Sequence, residues 1–210
     1  MKLSRLVLTP AALTLAAAAV AAGPALEPLV YPNVDVEALR ARGPAILPEL
    51  VRLYEQGDPA RRTQIAYAFY SLGWKSPEAK RALMADVHTP VADLRLQVQW
   101  ALGRVSDDTD VVDVLLDNMQ NDANPLFRDK AACALAHDQI HLNGKQKVHL
   151  FERLIAAMRD PKPDVRRIAS LALEIQTGQR KGFDANAAQE VREASIGAWQ
   201  RWLDEYRANL

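Results

Sequence analysis

Residues 164–173 read DVRRIASLAL, and this stretch decides the fold. Val165, Ala169, Ala172 and Leu173 fall on one face of a helix with 3.6 residues per turn, leaving the opposite face to arginine and serine. The preceding DPKP, residues 160–163, marks a boundary, because proline cannot continue a helix but suits the first turn of a new one. The pattern recurs as ARRTQIAYAF from Ala60, DLRLQVQWAL from Asp93 and LFRDKAACAL from Leu126, with EVREASIGAW from Glu190 as a fifth copy. Each copy has arginine at its third place: Arg62, Arg95, Arg128, Arg166 and Arg192, at spacings of 33, 33, 38 and 26 residues. A period of this size is that of a helical pair.

The runs between the copies are amphipathic too: PELVRLYEQ from Pro48, PEAKRALMADV from Pro77, DVVDVLLDNMQ from Asp110 and QKVHLFERLIAAM from Gln146. No stretch alternates with period two for long enough to make a strand. The expectation is an all-α chain, an α-solenoid of about five antiparallel helical pairs. Asp93 and Asp164 are placed as N-caps. Gly73, Asp107-Asp108, Asn143-Gly144 and Gly178 are expected to close the second helix of each pair. Because a cation in the first turn opposes the helix dipole, each repeated arginine needs a carboxylate or carbonyl in the neighbouring unit, which predicts a structural ladder of arginines.

D-x-x-V-R-x-x-A-x-x-A-L resembles the second-helix pattern of HEAT repeats, and DVRRIASLAL after DPKP resembles the short bacterial HEAT-like type also found in phycobilisome-lyase proteins. The resemblance covers about residues 44–204 and implies an ARM/HEAT-like superhelical scaffold of the kind that usually binds proteins. Ala60, Leu126 and Glu190 stand where the pattern has Asp.

At the N-terminus, Lys2 and Arg5 precede an uncharged run from Leu6 to Ala22, with small residues at Ala19, Ala21, Ala22 and Ala25. This is the layout of a secretory signal peptide over residues 1–22, and the alternative is an uncleaved anchor. The remaining divisions are a Pro-rich segment at 23–43, of which residues 24–35 read as a flexible linker or an extended strap packed on the first repeat, repeats at 44–182, and a capping element at 183–210 around Trp199 and Trp202. The expected location is outside the cytoplasm, periplasmic or secreted, with no membrane span after cleavage.

The chain has 26 basic and 26 acidic residues, so no basic surplus exists to release counterions from a nucleic acid, and no nucleic-acid partner is expected. Cys133 is the only cysteine, which rules out a disulfide within the chain. It reads as a small, partly buried filler. The one metal-like motif is AHDQIHLN, residues 136–143, with His137 and His141 four apart and Asp138 between them. It lacks a third ligand and the glutamate base of a zinc protease, and His149 is the only histidine nearby, so no metal, cofactor or catalytic residue is expected. The histidines read as residues of a helix C-terminus, where imidazolium is favoured.

Facing away from the core stripe are the places of Leu171 and Glu174. Their equivalents are Tyr67 and Tyr70, Trp100 and Gly103, and Cys133 and Ala136. Three aromatics, Tyr67, Tyr70 and Trp100, thus gather on one face and are the expected partner-binding residues. The reading is a non-enzymatic protein-interaction scaffold with a protein partner. The alternatives are a lyase-like or chaperone-like protein handling a small ligand, and a purely structural spacer.

Overall fold

The structure is a computed structural model that describes residues 25–210, so the expected signal segment at 1–22 lies outside the described residues. These contain eleven α-helices, one 3-10 turn at Pro44–Ile46 and no strand. Two short helices, α1 (Glu27–Val30) and α2 (Val36–Arg42), lead into α3 (Leu47–Gln56), α4 (Pro59–Leu72), α5 (Pro77–Ala85) and α6 (Ala92–Val105). Then follow α7 (Thr109–Asn121), α8 (Pro125–His137), α9 (Gly144–Ala157), α10 (Pro163–Thr177) and α11 (Gln189–Ala208). None of them is long and apolar enough to cross a membrane.

Helix starts follow from capping chemistry. Asp58, Ser76 and Asn124 accept hydrogen bonds from the open N–H groups of α4, α5 and α8, and Asn143 forms a reciprocal capping box with Gln146 on α9. Gly73 and Gly178 end α4 and α10 in the left-handed conformation that only glycine adopts without strain. Asp93 and Asp164 are not N-caps. They lie inside the first turns of α6 and α10, whose caps are Val91 and Lys162, and there they act through the helix dipole. Asn143-Gly144 does not close α8 but starts α9, because α8 has already ended at His137.

The packing repeats every two helices. Sequential neighbours α3 and α4, α5 and α6, α7 and α8, and α9 and α10 pack as pairs. Across pairs, α4 touches α6, α6 touches α8 and α8 touches α10, while on the other side α3 touches α5, and α7 touches α9. Lys80 ties α5 to α7 through Asp110, at 2.6 Å. One continuous core runs between the two sides, with Tyr54, Phe69, Leu83, Leu102, Leu115 and Leu135 all but inaccessible.

Both ends depart from expectation. The N-terminal segment packs on the first repeat as the strap reading expects, but as short helices and not as extended chain: α1 and α2 lie on α4 and bury Val30 and Leu39. At the other end α11 carries the fifth copy of the second-helix pattern yet packs on α9, a first helix. An apolar stripe says that a helix is covered but not which neighbour covers it, so the shared pattern did not fix the side. Trp199 is fully buried there, and Phe151, Trp202 and Tyr206 form a ring cluster between α9 and α11 with centroids 5.3–5.5 Å apart.

The five arginines occupy one place, the fourth residue of α4, α6, α8, α10 and α11. Side chains lean toward a helix's N-terminus, so from this place the guanidinium reaches back over the inter-helix turn. Arg62 bonds the Gly57 carbonyl at 2.9 Å, Arg128 the Asp122 carbonyl at 2.9 Å, and Arg192 the Ala187 carbonyl at 2.6 Å. Most also reach forward. Arg62 meets Asp86 at 3.2 Å, Arg95 meets Asp122, and Arg128 meets Asp164 at 2.6 Å. Arg95 stacks on Phe127 of the next unit at 4.4 Å instead of bonding its own turn. Arg166 is buried and joins the Asp160 and Pro161 carbonyls to that of Ala185, beyond α10.

Arg166→Ala strands several buried carbonyls and is expected to cost about 3 kcal/mol in chemical denaturation, against less than about 1 kcal/mol for Arg192→Ala, which loses a single part-exposed bond. The hydrogen bond from Arg128 holds the Asp164 carboxyl below the usual aspartate range. That stabilisation is therefore complete above an unfolded-state pKa of about 3.9 and is lost as pH falls through the lower folded value. Since Asp164 is nearly half exposed, Asp164→Asn should remove less than about 1 kcal/mol, seen as a flatter acid limb in stability against pH.

Candidate functional site

Three places on each second helix, at i, i+3 and i+7, share one face. On α6 they hold Gln97, Trp100 and Arg104, and on α8 Lys130, Cys133 and His137. On α10 all three are aliphatic, Ile168, Leu171 and Ile175. Between α4, α6 and α8 this face sinks into an open groove of about 470 Å³, walled by Tyr67, Tyr70 and Trp100. A smaller, more enclosed apolar recess of about 40 Å³ between α8 and α10 joins it through Cys133 and His137.

The aromatic wall is a packed series. Tyr67 and Tyr70 stack with centroids 6.4 Å apart, and Tyr70 meets Trp100 at 6.2 Å. Tyr67 is 40 % exposed, whereas Tyr70 and Trp100 are half-buried against the core. They therefore do two things at once, filling the gap between α4 and α6 and lining the open groove.

Arg104 forms one end of the groove. Its guanidinium lies over the Tyr70 ring at 4.2 Å, and its Nε donates to Asp138 at 2.8 Å. The two terminal amino groups of Arg104 have no hydrogen-bond partner among the described residues. Asp138 is buried, and that burial raises its carboxyl above the usual aspartate range despite the Arg104 bond. Lys130 meets only its sequence neighbour Asp129, at 3.2 Å, and the Gln97 side-chain oxygen is buried without a partner. Burial also pushes the Cys133 thiol up, away from the reactive thiolate.

The residues after α8 brace this end. The segment 138–143 turns back over the C-termini of α4 and α6, where His141 Nε2 lies 3.0 Å from the Gly73 carbonyl and 2.9 Å from the Arg104 carbonyl. Gln139 donates to the Ala134 carbonyl at 3.2 Å. Only glycine fits at 103, since a Cβ there would lie 2.4 Å from the Gln139 amide nitrogen and 2.6 Å from the Asp138 carbonyl oxygen. His137 is the last residue of α8 and His141 lies beyond it, so their four-residue spacing does not place them on one helical face. No group of three or more His, Cys, Asp or Glu among the described residues is placed to hold a metal ion.

The structure thus brings Tyr67, Tyr70 and Trp100 together with Cys133, and it keeps the arginines Arg62, Arg95, Arg128, Arg166 and Arg192 at the inter-helix turns, outside the groove lining. Gly103 does not join the open face, because it is buried against the 138–143 segment, and Ala136, itself buried, contributes only to the floor of the recess between α8 and α10. The groove residues that the sequence reading passed over are Gln97, Arg104 and Lys130. The 33-residue repeat carries a signal for them, since Lys130 and His137 are the counterparts of Gln97 and Arg104.

Gly103→Ala forces the 138–143 segment away and is expected to cost between about 1 and 3 kcal/mol. Amide exchange should then quicken in 138–143 while the core of α7 and α9 stays protected. No family model matches the chain, and no curated protein matches it.

Proposed function

We propose that this chain is an exported, non-enzymatic protein-interaction module, built as an α-solenoid of HEAT-like helical pairs. The repeated arginine at the fourth place of each second helix and the two-helix packing period support the architecture. One observation carries the functional reading: equivalent places on α4, α6, α8 and α10 line a single open face, on which three mutually packed aromatics meet a cation with unused donors. Aromatic and arginine side chains held in place by packing are the residue types that dominate binding energy at protein interfaces. The stack supplies rigidity and the face supplies contact area.

The test is recovery of a partner. The tagged full chain is purified from its native envelope after mild cross-linking, beside a Tyr67→Ala, Trp100→Ala double variant shown by circular dichroism to be folded. A defined protein recovered with the wild type and reduced at least about tenfold with the variant is the expected result. Recovery of the same protein by both removes this face from the interaction, and recovery of none favours a small ligand or a spacer.

A further inference from the structure

What the groove can bond to is set by which of its polar atoms are open. Gln97 encloses its side-chain oxygen and shows its amide nitrogen, which has no hydrogen-bond partner among the described residues. The Trp100 ring N–H and the terminal amino groups of Arg104 are also without a partner there, and none of them is enclosed. All of these groups are donors. The one carboxylate of the lining, Asp138, is 4 % exposed and already accepts from Arg104. The hydroxyls of Tyr67 and Tyr70 and the ring of His137 can each donate as well as accept. The groove is therefore rich in open donors and short of open acceptors.

Full charge does not decide the occupant. Arg104 stands 2.8 Å from Asp138, and Lys130 stands 3.2 Å from Asp129, so both cations of the lining are neutralised in place. The electrostatic match is to acceptor oxygens without net negative charge. Backbone N–H groups are a poor match, because they would lose water here and find little to accept them. Proline brings a carbonyl and no N–H, and its ring packs on aromatic walls of this kind.

Spacing agrees with that choice. On α6 the donors of Gln97 and Arg104 are seven residues apart with Trp100 between them, which is about 10.5 Å along the helix axis. One turn of polyproline II is three residues and advances about 9.3 Å. A segment lying along α6 thus returns a carbonyl to the same side at both donors and sets a ring on Trp100 between them.

We propose that the groove between α4, α6 and α8 binds a proline-rich segment of a partner protein in the polyproline II conformation. Its rings lie on Tyr70 and Trp100, and its carbonyls accept from the Gln97 amide, the Trp100 ring N–H and the terminal amino groups of Arg104. The proposal rests on the interaction reading above and adds to it the chemistry of the partner.

The test uses a displayed library of random twelve-residue peptides, selected on the immobilised full chain. Binders are resynthesised with a fluorescent label and measured by anisotropy. The enriched peptides are expected to share two prolines three residues apart, the length of one turn. Replacing both by alanine should weaken binding at least about tenfold, because N–H groups return and the preformed conformation is lost. Gln97→Met and Trp100→Phe each remove one donor and keep most of the side-chain volume. Each should weaken binding about three- to tenfold while the circular dichroism spectrum is unchanged. Raising ionic strength from about 0.01 to 0.15 M should change affinity less than about twofold, since neutral groups make the match. Enrichment without proline, no enrichment at all, or proline peptides indifferent to both variants each overturns the proposal. A tenfold loss over that salt range overturns the neutral class in favour of an anionic occupant. A partner recovered by cross-linking through Tyr67 and Trp100, while no proline peptide binds, overturns this inference alone and leaves the interaction module standing.

Discussion

An arginine at the fourth residue of a helix works against the helix dipole, and here five helices carry one. The cost is offset by geometry. From that place the long side chain leans back over the turn it has just left, where carbonyl oxygens point outward without intrahelical partners. Arg62, Arg128, Arg166 and Arg192 fasten such turns, and Arg62, Arg95 and Arg128 extend to a carboxylate of the following unit. A single residue type thereby fixes the angle within a pair and the step to the next pair. A partly buried ion pair is poor evidence of net stability by itself. Its value here is positional, because apolar packing alone leaves helices free to slide.

The face on the second helices depends on that fixed step. Tyr70 can meet Trp100, and Arg104 can lie over Tyr70, only if α4 and α6 keep their offset. The segment 138–143 secures the offset from the far end, taking the carbonyls of Gly73 and Arg104 on one imidazole nitrogen and closing on Gly103 where any side chain would collide. Five residues beyond the ordinary repeat length thus serve to lock three helices, which explains why that unit is longer than its neighbours. The two histidines that resemble a metal motif in the sequence belong to this brace: one ends α8 and the other grips two helix ends.

Both termini of the stack are finished by aromatic or aliphatic burial, but on opposite sides. The helices α1 and α2 cover α4, and α11 covers α9. Neither end of the core is left as a bare apolar face. Without a disulfide, stability rests on this continuous packing and on the buried polar links, Arg166 to Ala185 among them.

Much of this architecture was legible in residue order. The one-faced apolar spacing and the proline-marked turns specify helices because both act within a few residues along the chain. The recurrence of arginine at spacings of 33, 33, 38 and 26 residues exposes the repeat, and with it the shared face of Tyr67, Trp100, Cys133 and Leu171. Asp86 and Asp122, the acceptors of Arg62 and Arg95, each follow directly on the end of α5 and α7, but at different sequence offsets from their arginines, so the sequence alone did not pair them. Contacts between distant parts of the chain were not legible. The pattern of α11 is that of a second helix, yet it packs with the first helices, since periodicity says how wide an apolar stripe is and nothing of what covers it. The sequence by itself determined the helices, their order and the place of each arginine, through local geometry and covalent spacing. Only the tertiary structure decided which side α11 joins, where 138–143 folds back, and which donors of Arg104 remain free, because each of these depends on groups brought together across tens of residues.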